Sequence, residues 1–142
     1  MLPANSNIRV YFSATILSIV FAVVGFSYNA WRLERSEANT TIRTASFEVL
    51  TQLADLEQTL YIAFYDNNEV QGSPRRAWVK VGLIADLSVL ISPEVESQSQ
   101  ELKRYWAENW QGASDQQIVV DQLISHIDGV RSQIKITLAT LE

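Results

Sequence analysis

Twenty-two consecutive residues without a charge, Val10 to Trp31, constrain this chain more than anything else in it. At ~1.5 Å per residue a helix of that length spans roughly 33 Å, enough for a bilayer core of about 30 Å. The middle of the run, Ile16 to Phe26, is almost wholly apolar. Tyr11 and Phe12 stand at one end, Tyr28 and Trp31 at the other, where a headgroup layer favours amphipathic rings. Arg9 and Arg32 bracket the run and are able to snorkel outward. The membrane-interface set is therefore Arg9, Tyr11, Tyr28, Trp31 and Arg32.

Two other readings of the run compete. A cleaved signal peptide also has a basic start and small residues, but this stretch exceeds a usual apolar region, and Tyr28 spoils the small-residue site ending at Ala30. A core helix this apolar on every side needs a much larger protein around it. The expectation is a single-pass membrane protein, with the bilayer as its first partner. Residues 1–9 are a short tail, 10–31 the transmembrane helix, and 32–142 a soluble helical domain. Arg32, Arg35 and Arg43 lean towards an inside C-terminus by the positive-inside count. The usual plan of one short anchor followed by one domain argues the other way. The placement adopted is the domain outside the cytoplasm, at an inner membrane if the source is bacterial.

Residues 32–142 carry ten Lys+Arg and all sixteen Asp+Glu, a net charge of −6. An acidic domain is a poor match for duplex nucleic acid. The absence of cysteine removes disulfides, thiolate zinc and cysteine nucleophiles. The single histidine, His126, cannot form a histidine-pair metal site. There is no phosphate-binding loop, dinucleotide fingerprint or nucleophile elbow. No catalytic, cofactor or metal residues are assigned, and an enzyme is not expected.

Helical periodicity dominates the remainder. Val49, Leu53, Leu56, Leu60 and Ala63 form one stripe, widened by Phe47, Leu50, Ala54, Tyr61 and Phe64. No Pro or Gly lies between Gly25 and Gly72, so this helix is expected to continue the apolar run. Asp66 to Pro74 is a turn. Its oxygen-bearing Asp66, Asn67, Asn68 and Glu69 lack the spacing of a calcium loop. The Asn39-Thr40-Thr41 sequon matters only on a eukaryotic secretory route.

Ser73-Pro74 and Ser92-Pro93 each combine a cap residue with Pro at the first helical position. The helix after the first, Trp78 to Ile91, is apolar on most sides and expected to be covered by several neighbours. The helix after the second is polar, with an apolar side of Val95, Leu102, Tyr105, Trp106 and Trp110. Ser114 or Asp115 is expected to cap the last helix. That helix carries a heptad seam of Val120, Leu123, Ile127, Val130, Ile134, Thr137 and Leu141. The predicted fold is all-α: one N-terminal transmembrane helix leading into an antiparallel bundle. The bundle has either three long rods, one bent at Pro93, or four helices. Four is preferred, because Pro93 interrupts the hydrogen-bond ladder.

Candidate interaction or ligand residues follow from chemistry that looks out of place. Asp86 sits among Gly82, Leu83, Val89 and Leu90 at helical spacing. It is either on an exposed side or buried and in need of a partner. Arg75, Arg76 and Lys80 form a basic cluster in an acidic domain, suited to an acidic partner. Trp78, Trp106 and Trp110 are either core anchors or an interface. His126 falls on a polar face and reads as solvated. The function expected is a membrane-anchored, non-enzymatic interaction protein, an accessory or assembly subunit that binds another protein or itself through helical faces. The alternative is a ligand-sensing bundle with its site near Trp78, Trp106 and Asp86.

Overall fold

The structure is a computed structural model that describes residues 4–66, 68 and 70–141, with residues 4–9 described by backbone alone. It is all-α, and no strand occurs among the described residues. Four helices follow one another: α1 (Ala4–Phe64), α2 (Pro74–Ser88), α3 (Pro93–Asn109) and α4 (Gln117–Thr140). A short 3-10 turn, Trp110–Ser114, joins α3 to α4. The chain divides into two compact units, the first ending at Ala38 and the second beginning at Asn39.

The first unit is helical, and every side chain from Val10 to Ala38 is exposed. Two of its hydroxyls are satisfied within the helix. Thr15 donates to the Tyr11 carbonyl at 2.8 Å and Ser18 to the Ala14 carbonyl at 2.9 Å. This back-bonding leaves those polar groups without need of water.

The second unit is an up-down-up-down four-helix bundle, with α1 contributing Asn39–Phe64. Its direction can be read from cross-helix pairs. Asp55 meets Lys80, and Gly72 lies against Ala63, so α1 and α2 run antiparallel. Ser88 meets Ser99 and Trp78 meets Trp106, which makes α2 and α3 antiparallel too. Ser92 with Thr137 and Tyr105 with His126 give the same sense for α3 and α4. Glu57 with Arg131 closes the ring between α4 and α1. Pro93 is thus a reversal, and the bent-rod arrangement does not occur.

The core matches the two cleanest stripes. Val49, Leu53, Leu56 and Leu60 of α1 are fully buried, as are Leu123, Ile127, Val130 and Ile134 of α4. Val95, Leu102 and Trp106 supply the buried side of α3, while Tyr105 and Trp110 pack partly against it. The widened α1 stripe is narrower than expected: Phe47 is 63% exposed, and Ala54 and Tyr61 also face outward. The expected cover on α2 is absent as well. Ala77, Val81, Ile84, Ala85 and Ser88 are buried, but Val79, Val89 and Leu90 are exposed. A ring of four gives each helix two neighbours, which conceal about half its circumference.

The caps differ. Ser92 accepts from the Val95 amide at 3.3 Å. Ser73 makes no side-chain cap bond; its carbonyl takes the Arg76 and Ala77 amides instead. The last helix is preceded by Gln116 rather than by a Ser114 or Asp115 cap. The 3-10 turn carries the chain past those two residues first. The α1–α2 connection contains a close approach: a Cβ on Gly72 would lie 2.6 Å from the Ala63 backbone.

Two sets of substitutions test this account by denaturant unfolding of the full chain in detergent, followed by tryptophan fluorescence. Gly72→Ala should lower stability by about 1–3 kcal/mol, because backbone cannot move aside as a side chain can. Ser92→Ala should cost about 1 kcal/mol and Ser73→Ala only a few tenths. Equal costs at the two serines would contradict the cap geometry.

Candidate functional site

The groove between α1 and α2 collects the chemistry that looked out of place. It has a volume of about 770 Å³ and is open to solvent. Arg75, Arg76, Val79, Lys80 and Leu83 come from α2, facing Asp55 and Ile62 of α1. Helical spacing places 76, 80 and 83 on one side of α2, with 75 and 79 on the adjoining side. The basic cluster does not act as one body, however. Lys80 Nζ lies 3.2 Å from Asp55 Oδ2 and is committed to that pair. Arg75 and Arg76 are exposed, and neither has an ion-pair partner among the described residues. Beside them Val79 is 71% exposed and Leu83 lies at the edge of exposure. The groove therefore offers two unpaired guanidinium groups next to uncovered apolar surface.

The neighbouring seam between α1 and α4 is closed by charge. Arg131 Nη2 lies 2.7 Å from Glu57 Oε2, and each side chain is about one-quarter exposed. Asp128 holds the other arm of the same guanidinium. The hydrogen bond to Glu57 holds Arg131 above its ordinary value, against an opposing effect of burial. Nothing in the spacing of either helix pointed to this pair, which joins residues far apart in sequence.

The other expected residues are scattered. Asp86 is exposed, which matches the exposed-side reading and removes the alternative of a buried carboxylate needing a partner. Trp106 is fully buried, and Trp78 packs edge-on against it with ring centroids 6.0 Å apart. Trp110 is half-buried near the 3-10 turn. Of the residues expected around one ligand site, Trp78 and Trp106 are in contact, and Asp86 lies on an exposed position of α2. His126 is not simply solvated: its ring lies 5.0 Å from that of Tyr105. Asn67 and Glu69 lie outside the described residues; the Asn68 carboxamide oxygen accepts from the Val70 and Gln71 amides, as a turn requires. No cluster able to hold a metal occurs among the described residues.

In the first unit Tyr11, Tyr28, Trp31 and Arg32 are all exposed, while the Arg9 side chain lies outside the described residues. Tyr28 and Trp31 rings stand 6.2 Å apart. Arg35 lies 5.3 Å over the Trp31 ring, a cation–π contact that sequence reasoning missed although the four-residue spacing allows it. The helix is long and apolar enough to cross a membrane, and none of its most apolar window is buried. Comparison with family models, with curated proteins and with solved structures finds no match.

The Glu57–Arg131 contact should show a coupling energy of about 1 kcal/mol in a double-mutant cycle with Glu57→Gln and Arg131→Met. A guanidinium pKa raised on folding contributes stability that is present below its ordinary value and lost only above it. The coupling should therefore stay constant between about pH 7 and pH 10. A loss within that window would assign the contact to some other group.

Proposed function

We propose that this chain is a membrane-anchored interaction protein that acts by binding rather than by catalysis. Residues 10–31 tether it, and the Asn39–Glu142 bundle recruits an acidic protein partner, as an accessory or assembly subunit would. The anchoring part rests on apolar side chains from Val10 to Trp31 that no protein covers. Hydrocarbon is the medium that removes that surface from water at ~25 cal/mol per Å². The ring belt and the Arg35–Trp31 contact suit a headgroup layer. The domain is assigned to the side away from the cytoplasm.

The observation that carries the interaction part is the α1–α2 groove, where Arg75 and Arg76 are unpaired beside Val79 and Leu83. In a domain of net −6 such a patch is an exception. It matches a partner segment that brings carboxylates around an apolar stripe. Charge steers such an encounter, and burial of the two apolar residues holds it.

Two measurements test the reading. Alkaline carbonate washing should leave the full-length chain in the membrane fraction; release of intact chain overturns the anchor. A photo-crosslinker at Val79 in native membranes should join the groove to one acidic segment, mapped by mass spectrometry. The same probe at exposed Ile118 of α4 should not. Arg75→Glu with Arg76→Glu should remove the Val79 product by tenfold or more, as expected where like charges face each other. Monomer alone at every position would overturn the interaction reading.

A further inference from the structure

The outer side of α2 carries a pattern that continues past the groove. Arg76, Val79, Leu83 and Asp86 recur at spacings of three, four and three, and all four are exposed. Helical geometry sets them opposite Val81, Ile84 and Ser88, which face the core. Leu90, in the turn that follows Asp86, is 51% exposed. Apolar residues spaced by three and four are what one helix shows to another packed along it. Nothing among the described residues covers these.

Two further features restrict what does. Gly82 stands between Val79 and Asp86 at helical spacing. Glycine weakens a helix interior relative to alanine. Yet a Cβ on Gly82 would meet no atom within 4 Å. The fold itself gives no reason for so small a residue; close approach of another backbone does. The charges are also sorted by end. Arg75 and Arg76 open α2, and Asp86 stands roughly 15 Å further along it. That separation exceeds the screening length of about 8 Å at physiological salt, so the ends act separately. Between them Lys80 and Asp55 neutralise each other. In the antiparallel register which that pair sets, exposed Glu48 of α1 is level with Leu87, adding a carboxylate to the Asp86 end.

We infer that the segment recruited here is an amphipathic helix that docks in one direction. Its carboxylates meet Arg75 and Arg76, a Lys or Arg meets Asp86 and Glu48, and its apolar stripe covers Val79, Leu83 and Leu90. The backbones come closest at Gly82. The inference rests on the proposed recruitment of an acidic segment, and adds that segment's secondary structure, cationic end and direction. Reversed docking sets like charges against each other at both ends.

The test uses the full chain in native membranes with a photo-crosslinker at Val79 or at Leu90, and mass spectrometry of the products. Both products should fall in one partner, on sites about eleven residues apart, because a helix covers ~16 Å in that many. An extended segment covers the same distance in about five. Carboxylates should flank the Val79 site, and Lys or Arg the Leu90 site. Asp86→Lys should lower the Leu90 product about threefold or more. Gly82→Ala should lower both products by a similar factor without lowering the unfolding midpoint of the chain. Sites about five residues apart, sites in two partners or the opposite charge order would each overturn the docked helix. So would a Leu90 product with lipid or with a second copy of this chain, or full yield in either variant. In each of these cases an acidic segment joined to Val79 leaves the recruitment reading standing, whereas no product at either position removes both.

Discussion

The bundle depends on one apolar seam, in which the α1 row Val49, Leu53, Leu56 and Leu60 and the α4 row Leu123, Ile127, Val130 and Ile134 are sealed from water. Each fully buried aliphatic side chain contributes about 1.5–3 kcal/mol relative to exposure. Summed over both rows this is comparable to or larger than the net stability of an ordinary domain, which the entropy of chain ordering reduces to about 5–15 kcal/mol. The ion pairs between helices among the described residues are few by comparison and partly solvated. Lys80–Asp55 and Arg131–Glu57 add little net energy but align the helices that the seam brings together.

Two kinds of apolar surface coexist in this chain and were separable from the residues alone. Where charge interrupts at helical spacing, as from Val120 to Ile134, the apolar positions face protein. Where no charge interrupts, as from Val10 to Trp31, they face no protein at all. The intermediate case is α2, where the periodicity failed as a guide. Trp78 to Ile91 is apolar on several sides, and composition alone does not say which side a neighbour covers. Ala77, Ala85 and Ser88 mark the covered side by being small. Val79 and Leu83 were legible as apolar but not as surface.

Much of the candidate chemistry was beyond linear spacing. The arginines at the start of α2 stood out in the sequence, but the withdrawal of Lys80 into a pair with Asp55 depends on how α1 and α2 register. The Trp106 indole N–H, which has no hydrogen-bond partner among the described residues, sits on a residue that reads as an ordinary core anchor. Sequence reasoning gathered Trp78, Trp106 and Asp86 because they lie on adjacent helices. Helix rotation sends Asp86 outward. The caps illustrate the same limit at short range. Ser73 and Ser92 precede proline identically, yet one hydroxyl engages the helix start and the other does not.

Between α2 and α3 lies a buried hydroxyl couple, Ser88 and Ser99, with oxygens 2.6 Å apart. Ser88 spends its own proton on the Ile84 carbonyl at 2.6 Å, so Ser99 supplies the proton shared between them. The apolar residues around it are not directional in their contacts. This couple is directional: displacement by one turn strands both oxygens in hydrocarbon-like surroundings. The two serines thus act as a detent for the α2–α3 hairpin, because the observed alignment is the one that keeps both hydroxyls bonded.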